Sequence, residues 1–189
     1  MTAPPALLLI DYQKGFEVIA ASRSRNNPEA ESNVMRLLEA WREAGWPVLH
    51  VRHDSKEPGS PLAPGTFGNA AMSFAAERPG EPVVRKVVNS AFIGTDLEAR
   101  LIALGRPEVV MAGVTTDHCV STSVRHAANL GFVVVLAADA CFTFDRRDTE
   151  GETIAADLVH RVAVASLAGE FATVTCAAVL VQRALAAPR

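Results

Sequence analysis

Short aliphatic runs alternate along this chain with longer stretches whose apolar residues recur every three or four positions, and Gly, Pro or a capping residue marks each junction. The run Ala6 to Ile10 predicts a buried strand. Val34, Leu37, Leu38 and Trp41 fall at i, i+3, i+4 and i+7, one face of a helix that ends near Gly45. Further strands are predicted over 47–52, 82–85, 108–112, 132–137 and 171–175, and further helices over about 119–130, 153–168 and 177–185. Thr95 followed by Glu98 has the spacing of a capping box and opens one more helix, running to Leu104 and Gly105. Segments 54–80 and 139–152 break the rhythm and read as long active-site or subunit-contact loops.

Near-continuous apolar strands joined by helical crossovers pair in parallel and need cover on both sides. The predicted fold class is therefore α/β, a three-layer, doubly wound and mainly parallel sheet with helices on both faces. A length of 189 residues suits one core, so residues 1–189 read as a single domain. Hydrophobic residues at 49% against 21% charged supply that core and exclude disorder as the main state. A net charge of −3, with no run of Lys or Arg, removes nucleic acid and anionic membranes from the expected partners. The first apolar stretch stops at Asp11, too soon for a membrane span or a signal segment, so a cytoplasmic location is expected. Cys119, Cys141 and Cys176 are widely spaced, without a CxxC pair, and read as reduced thiols.

In an open parallel sheet, ligands bind at the carboxyl ends of the strands. Asp11 follows LLLI, Lys86 follows VVR, and Cys119 lies a few residues past VVMAGV where a helix is predicted to start. Each has a bland alternative: an Asp can cap a loop, a strand-end Lys is often solvated, and a Cys among apolar neighbours is usually a small core residue. Cys141 and Cys176 read that way. Lys86, however, is one of three lysines in a chain rich in Arg, and the helix start at Cys119 favours a thiolate. A carboxylate, an ammonium and a thiol on one rim make a set suited to acid/base and nucleophilic work.

The segments LLLIDYQKGF, VVRKVVNSAFIGTDL and VMAGVTTDHCVSTSVRHAANLGFVVVLAADAC closely resemble the isochorismatase-like cysteine hydrolases, the group of nicotinamidase, N-carbamoylsarcosine amidase and other small-molecule amidases. The ordered patterns D-x-Q-x-x-F, K-x-x-x-S-A-F and G-V-x-T-D-x-C-V carry the resemblance. It implies Asp11 as general base, Lys86 as electrostatic partner and Cys119 as nucleophile. It also implies a cis peptide between Val114 and Thr115 that turns the Thr115 N–H to join that of Cys119 as an oxyanion hole. Gln13, Phe16, Ser90 and Phe92 fall in the matched blocks as candidates for the pocket wall, with ordinary core packing as the alternative for the two phenylalanines. Asp117 is expected to brace its loop.

The implied reaction is hydrolysis of a small amide, carbamoyl or ureide C–N bond through a thioester. Two alternatives stand beside it: vinyl-ether hydrolysis of the isochorismatase type, which members lacking the cysteine can run, and a non-enzymatic thiol sensor or binding subunit. The resemblance further suggests a homo-oligomer, dimer or tetramer. No cofactor is expected. Metal-using relatives follow their second strand with Asp-x-His, whereas this chain reads HVRHDS, with Val51 at the place of the Asp and no histidine between His53 and His118. One imidazole with Asp54 gives too few ligands for zinc, so no metal is expected, and His53 reads as a loop-bracing residue.

Overall fold

A computed structural model describes residues 3–105 and 107–187. Its strands are β1 (Ala6–Ile10), β2 (Val48–His53), β3 (Val83–Lys86), β4 (Val109–Gly113), β5 (Val134–Ala137), β6 (Arg146–Arg147), β7 (Thr153–Ile154) and β8 (Thr173–Thr175). Its α-helices are α1 (Gly15–Ala20), α2 (Ala30–Ala44), α3 (Leu97–Ala103), α4 (Ser121–Asn129), α5 (Ala156–Leu167) and α6 (Ala177–Leu185). Six strands form the central sheet in the order β3-β2-β1-β4-β5-β8, every neighbouring pair parallel. β6 and β7 make a separate antiparallel ribbon.

The apolar strands are buried because helices cover both faces. From β1 the chain moves through α2 to β2 in one direction, and from β4 through α4 to β5 in the other; right-handed crossovers then put α2 and α4 on opposite faces. α2 packs on α6 and α4 on α5. Leu7, Leu8, Leu9 and Ile10 are buried in the middle of this sandwich, each side chain contributing about 1.5–3 kcal/mol. Trp41, on the buried face of α2, donates its indole N–H to the Pro5 carbonyl at 3.0 Å, so the largest core side chain leaves no polar atom unpaired.

Several local expectations need correction. Thr153 and Ile154 belong to β7 rather than to a helix; α5 starts at Ala156, whose N–H is capped by the Asp145 carboxylate at 2.8 Å, a partner from outside the helical pattern. The Thr95–Glu98 box does not form: the helix starts at Leu97, and the Thr95 hydroxyl instead donates to the Ala91 carbonyl at 2.7 Å. α1 escapes periodicity because six residues are under two turns. Cys176 is exposed at the start of α6, not a core residue, since β8 is an edge strand.

Two glycines bring backbones together near the carboxyl edge. A Cβ on Gly113 would stand 2.5 Å from the Ile10 carbonyl oxygen, so a side chain there would force β4 away from β1. One on Gly68 would meet the Gly15 Cα at 2.9 Å, which is how segment 54–80 settles against α1.

Candidate active site

Successive crossovers leave β1 and β4 in opposite directions, which opens a crevice at their carboxyl ends. Asp11 is the first residue beyond β1. Its φ of 57° lies in the left-handed region, uncommon for a residue with a Cβ, and costs about 1–2 kcal/mol that the surrounding bonds hold in place. Its N–H donates to the Val51 carbonyl at 2.9 Å and its carbonyl accepts the Gln13 N–H at 2.8 Å, a tight turn that folds the carboxylate back beneath the crevice.

Lys86 ends β3 two strands away and reaches across. Its Nζ lies 2.7 Å from Asp11 Oδ2, with both side chains fully buried, and donates to Cys119 Sγ at 3.2 Å. Cys119 lies in a π-turn, Thr116–Val120, that leads directly into α4. The structure thus brings together the three groups singled out from the sequence. The Val114–Thr115 peptide that precedes the π-turn is cis.

Burial sets the electrostatics. Desolvation raises the Asp11 carboxyl above its ordinary value, against the pull of Lys86. The Cys119 thiol is pushed up to about 12, by burial first and by the Asp11 charge second, which outweigh Lys86. Burial thus opposes the pull of the helix start towards a thiolate, a pull of at most about 2 kcal/mol. The buried Asp11 carboxylate is also hydrogen-bonded to the Cys119 side chain, which sets a base beside the thiol proton.

Above the three groups lies a cavity of about 210 Å³. Phe16, Ile19, Leu62 and Phe144 give it apolar walls; Arg23, Asn89, His118 and Arg146 stand around them. Of the four pocket candidates from the sequence, Phe16 lines it, and Gln13, Ser90 and Phe92 do not. Ser90 turns away to His126 Nδ1 at 2.7 Å, and Phe92 packs on His126 and Phe132. Gln13 is buried and clamps the next strand: its amide donates to the carbonyls of His53 and Asn69, both at 3.0 Å, and accepts the His53 N–H at 2.8 Å. Asp117 accepts from Arg146 Nε at 2.7 Å and also from the Thr143 hydroxyl. Although burial raises it, these bonds hold its carboxyl at about 2, so it ties loop 139–152 to the π-turn. A larger cleft of about 710 Å³ lies by Trp46, Val48 and Pro82, at the opposite ends of β2 and β3; no Cys, Ser, Lys or His lines it.

Sequence reasoning missed His53 as a member of this site. It ends β2 directly opposite Lys86 in the parallel register, and its Nδ1 lies 3.1 Å from Lys86 Nζ. That register was the signal available, since the two residues close neighbouring strands. Asp11, His53 and Cys119 are the described residues whose metal-capable atoms gather, within 4.8 Å of one another, and the Lys86 ammonium already contacts all three. A cation held among them by its own chain leaves this donor set a poor fit for a divalent ion.

A parallel sheet with a carboxylate, an ammonium and a thiol gathered at its switch point is the framework of a hydrolase of the isochorismatase-like type. The Isochorismatase domain matches residues 5–179, and the chain belongs to that family. A solved structure of an isochorismatase-family protein from Chromobacterium violaceum superposes with a TM-score of 0.91 at 46% identity, covering 97% of this chain and 98% of that one. YrdC of Bacillus subtilis, an isochorismatase family protein, is 40% identical over 174 residues, 92% of each chain. A streptothricin hydrolase of Streptomyces noursei is 34% identical over 94% of this chain and 74% of its own. Relatives named for amide hydrolysis include nicotinamidase 3 of Arabidopsis thaliana, 31% identical over 74% of each chain, and ureidoacrylate amidohydrolase RutB of Agrobacterium fabrum, 28% identical over 58% of this chain and 60% of its own. The protein is an isochorismatase-family hydrolase.

Proposed function

We propose that this hydrolase cleaves a small amide, carbamoyl or ureide C–N bond through a thioester on Cys119. One observation carries the reading: Lys86 Nζ bridges Asp11 and Cys119, at 2.7 and 3.2 Å, beneath a small cavity that those two residues line. The relatives named for amide hydrolysis, the nicotinamidase and the ureidoacrylate amidohydrolase, support the bond type.

A thiol at about 12 is unreactive until a base takes its proton, and the Asp11 carboxylate, hydrogen-bonded to the Cys119 side chain, is placed to do so. As Sγ attacks the carbonyl carbon, the thiol proton moves to Asp11 and the negative charge passes to the substrate oxygen, where the Thr115 and Cys119 N–H groups form the oxyanion hole. Such donors contribute about 3 kcal/mol each. Collapse breaks the C–N bond, and the leaving nitrogen takes the proton from Asp11. Water, deprotonated by Asp11, then opens the thioester, releasing the acid and restoring the thiol. Lys86 balances the charge on Asp11 throughout, so no step requires a metal.

Residues 1–189 act as a single hydrolase domain in this reading, and the exposed apolar side chains of α5, Leu158 and Val162, suit contact between copies in a homo-oligomer. No described helix is long and apolar enough to cross a membrane, and a catalytic thiol suits the reducing cytoplasm. Ammonia release from a panel of primary amides, carbamoyl compounds and ureides tests the proposal. Activity on one class, insensitive to EDTA and lost in Cys119→Ala, is expected. Undiminished hydrolysis by Cys119→Ala would end the covalent route.

A further inference from the structure

We infer that His53 is a positioning residue of this site: its neutral imidazole takes the third proton of the Lys86 ammonium and so holds that ammonium between Asp11 and Cys119. The inference rests on the hydrolase reading for its purpose but on geometry for its content. An ammonium carries three N–H donors and no acceptor. That of Lys86 is fully buried, away from water, and three acceptors surround it: Asp11 Oδ2 at 2.7 Å, His53 Nδ1 at 3.1 Å and Cys119 Sγ at 3.2 Å. Deleting any one strands a charged donor in the core. The thiol is the acceptor that changes during reaction, so Asp11 and His53 are the two fixed anchors.

His53 is itself firmly placed. The β2–β3 register sets it opposite Lys86, and the Gln13 amide grips its backbone N–H and carbonyl. The ring also hydrogen-bonds the Val88 backbone; with Nδ1 turned to the ammonium, Nε2 is the nitrogen left to donate. Burial first, and the Lys86 charge second, hold the imidazole below its ordinary value, while Asp11, Asp54 and the Val88 carbonyl pull the other way. Of these, Asp54 is already paired with Arg85 at 2.8 Å. The cavity adds His118, Arg146 and Arg23, all of which disfavour a further positive charge on the ring when protonated. A neutral acceptor at neutral pH follows. Protonation would turn an N–H towards the ammonium and set two cations about 3 Å apart, a repulsion that dislodges Lys86.

The test compares the full-length protein with His53→Ala, which removes the acceptor, and His53→Asn, whose amide oxygen can replace Nδ1 without titrating. Iodoacetamide is the probe, and peptide mass spectrometry reads the alkylation rate of Cys119 at pH 7.5 with the exposed Cys176 as internal reference. His53→Ala should slow Cys119 about tenfold with Cys176 unchanged, the scale of one lost charged hydrogen bond, and His53→Asn should restore the rate to within about twofold. Ring-nitrogen NMR should show the Nε2–H tautomer, with a titration midpoint that moves up in Lys86→Met. Wild-type alkylation in His53→Ala, an Asn variant as slow as the Ala variant, or a His53 midpoint indifferent to Lys86 would each overturn the inference. None of these readouts needs a substrate, so they stand apart from the amide panel that decides the hydrolase reading.

Discussion

Each end of the sheet holds a carboxylate beside a cation and a histidine, Asp11 fully buried and Glu81 partly so, and the two ends behave oppositely. At the amino end Glu81 accepts two bonds from Arg42, at 2.7 and 2.8 Å, one from the Arg78 N–H at 2.9 Å, and contacts His50 Nε2 at 2.9 Å. At the carboxyl end Asp11 has the Lys86 ammonium at 2.7 Å and the Cys119 side chain as its partners. Burial raises both carboxyls, but the full set of donors brings Glu81 down to about 2, whereas Asp11 stays above its ordinary value. Fewer donors together with complete burial separate a carboxyl able to take a proton from a structural anion that keeps part of its surface in water.

Swapping each carboxylate for its amide breaks this comparison most directly. Asp11→Asn should lower the hydrolysis rate by about 10²–10⁴, the range for a general base, with an unchanged circular dichroism spectrum. Glu81→Gln should leave the rate constant intact and lower unfolding stability by about 1–2 kcal/mol in a urea titration, because Arg42 and His50 lose a charged acceptor.

Acid should sharpen the same contrast. The carboxyls of Glu81 and Asp117, at about 2, lie below the unfolded range near 4, so the stability they contribute is complete above about pH 4 and drains away as pH falls towards 2. Asp11 has the opposite sign: its raised carboxyl is protonated at higher pH, which relieves its burial while removing the base. Hydrolysis should therefore fail at a higher pH than ellipticity does, and coincident losses would contradict the assignment of Asp11.

The smallest expected effect concerns the second buried thiol. Cys141 is also pushed up to about 12 by burial, yet it faces the Ala137 carbonyl at 3.4 Å and no carboxylate base, so Cys141→Ala should leave the hydrolysis rate within about twofold.

The sheet was legible because apolar runs and Gly or Pro junctions are local signals, and they place Asp11, Lys86 and Cys119 at strand ends before any contact is known. The resemblance to isochorismatase-like hydrolases added their roles. Other features depended on contacts that sequence spacing hides. Arg23 and Phe144 reach the cavity from loops and Arg146 from the short ribbon strand β6, and Phe144 takes its place by stacking on Phe16, 128 positions earlier. His53 was weighed only as a metal ligand or a brace, since spacing tests ask about neighbours along the chain, while its partner Lys86 lies across a strand pair. Burial of the Cys119 thiol was hidden for a related reason: helix position is visible in sequence and the depth of burial is not.

Gln13 has a consequence for how such a protein can diversify. Its side-chain amide donates and accepts as a peptide unit would, adding in effect one more rung to the β1–β2 ladder past the point where the main chains part. The spacing between the ends of those two strands is therefore held by an internal strut, which also ties in Asn69 of the excursion 54–80 that leaves β2. That excursion supplies Leu62 to the cavity wall. On the proposed reading, the parts of that excursion away from Asn69 and Gly68 can change the cavity wall while Asp11, Lys86 and Cys119 keep their places.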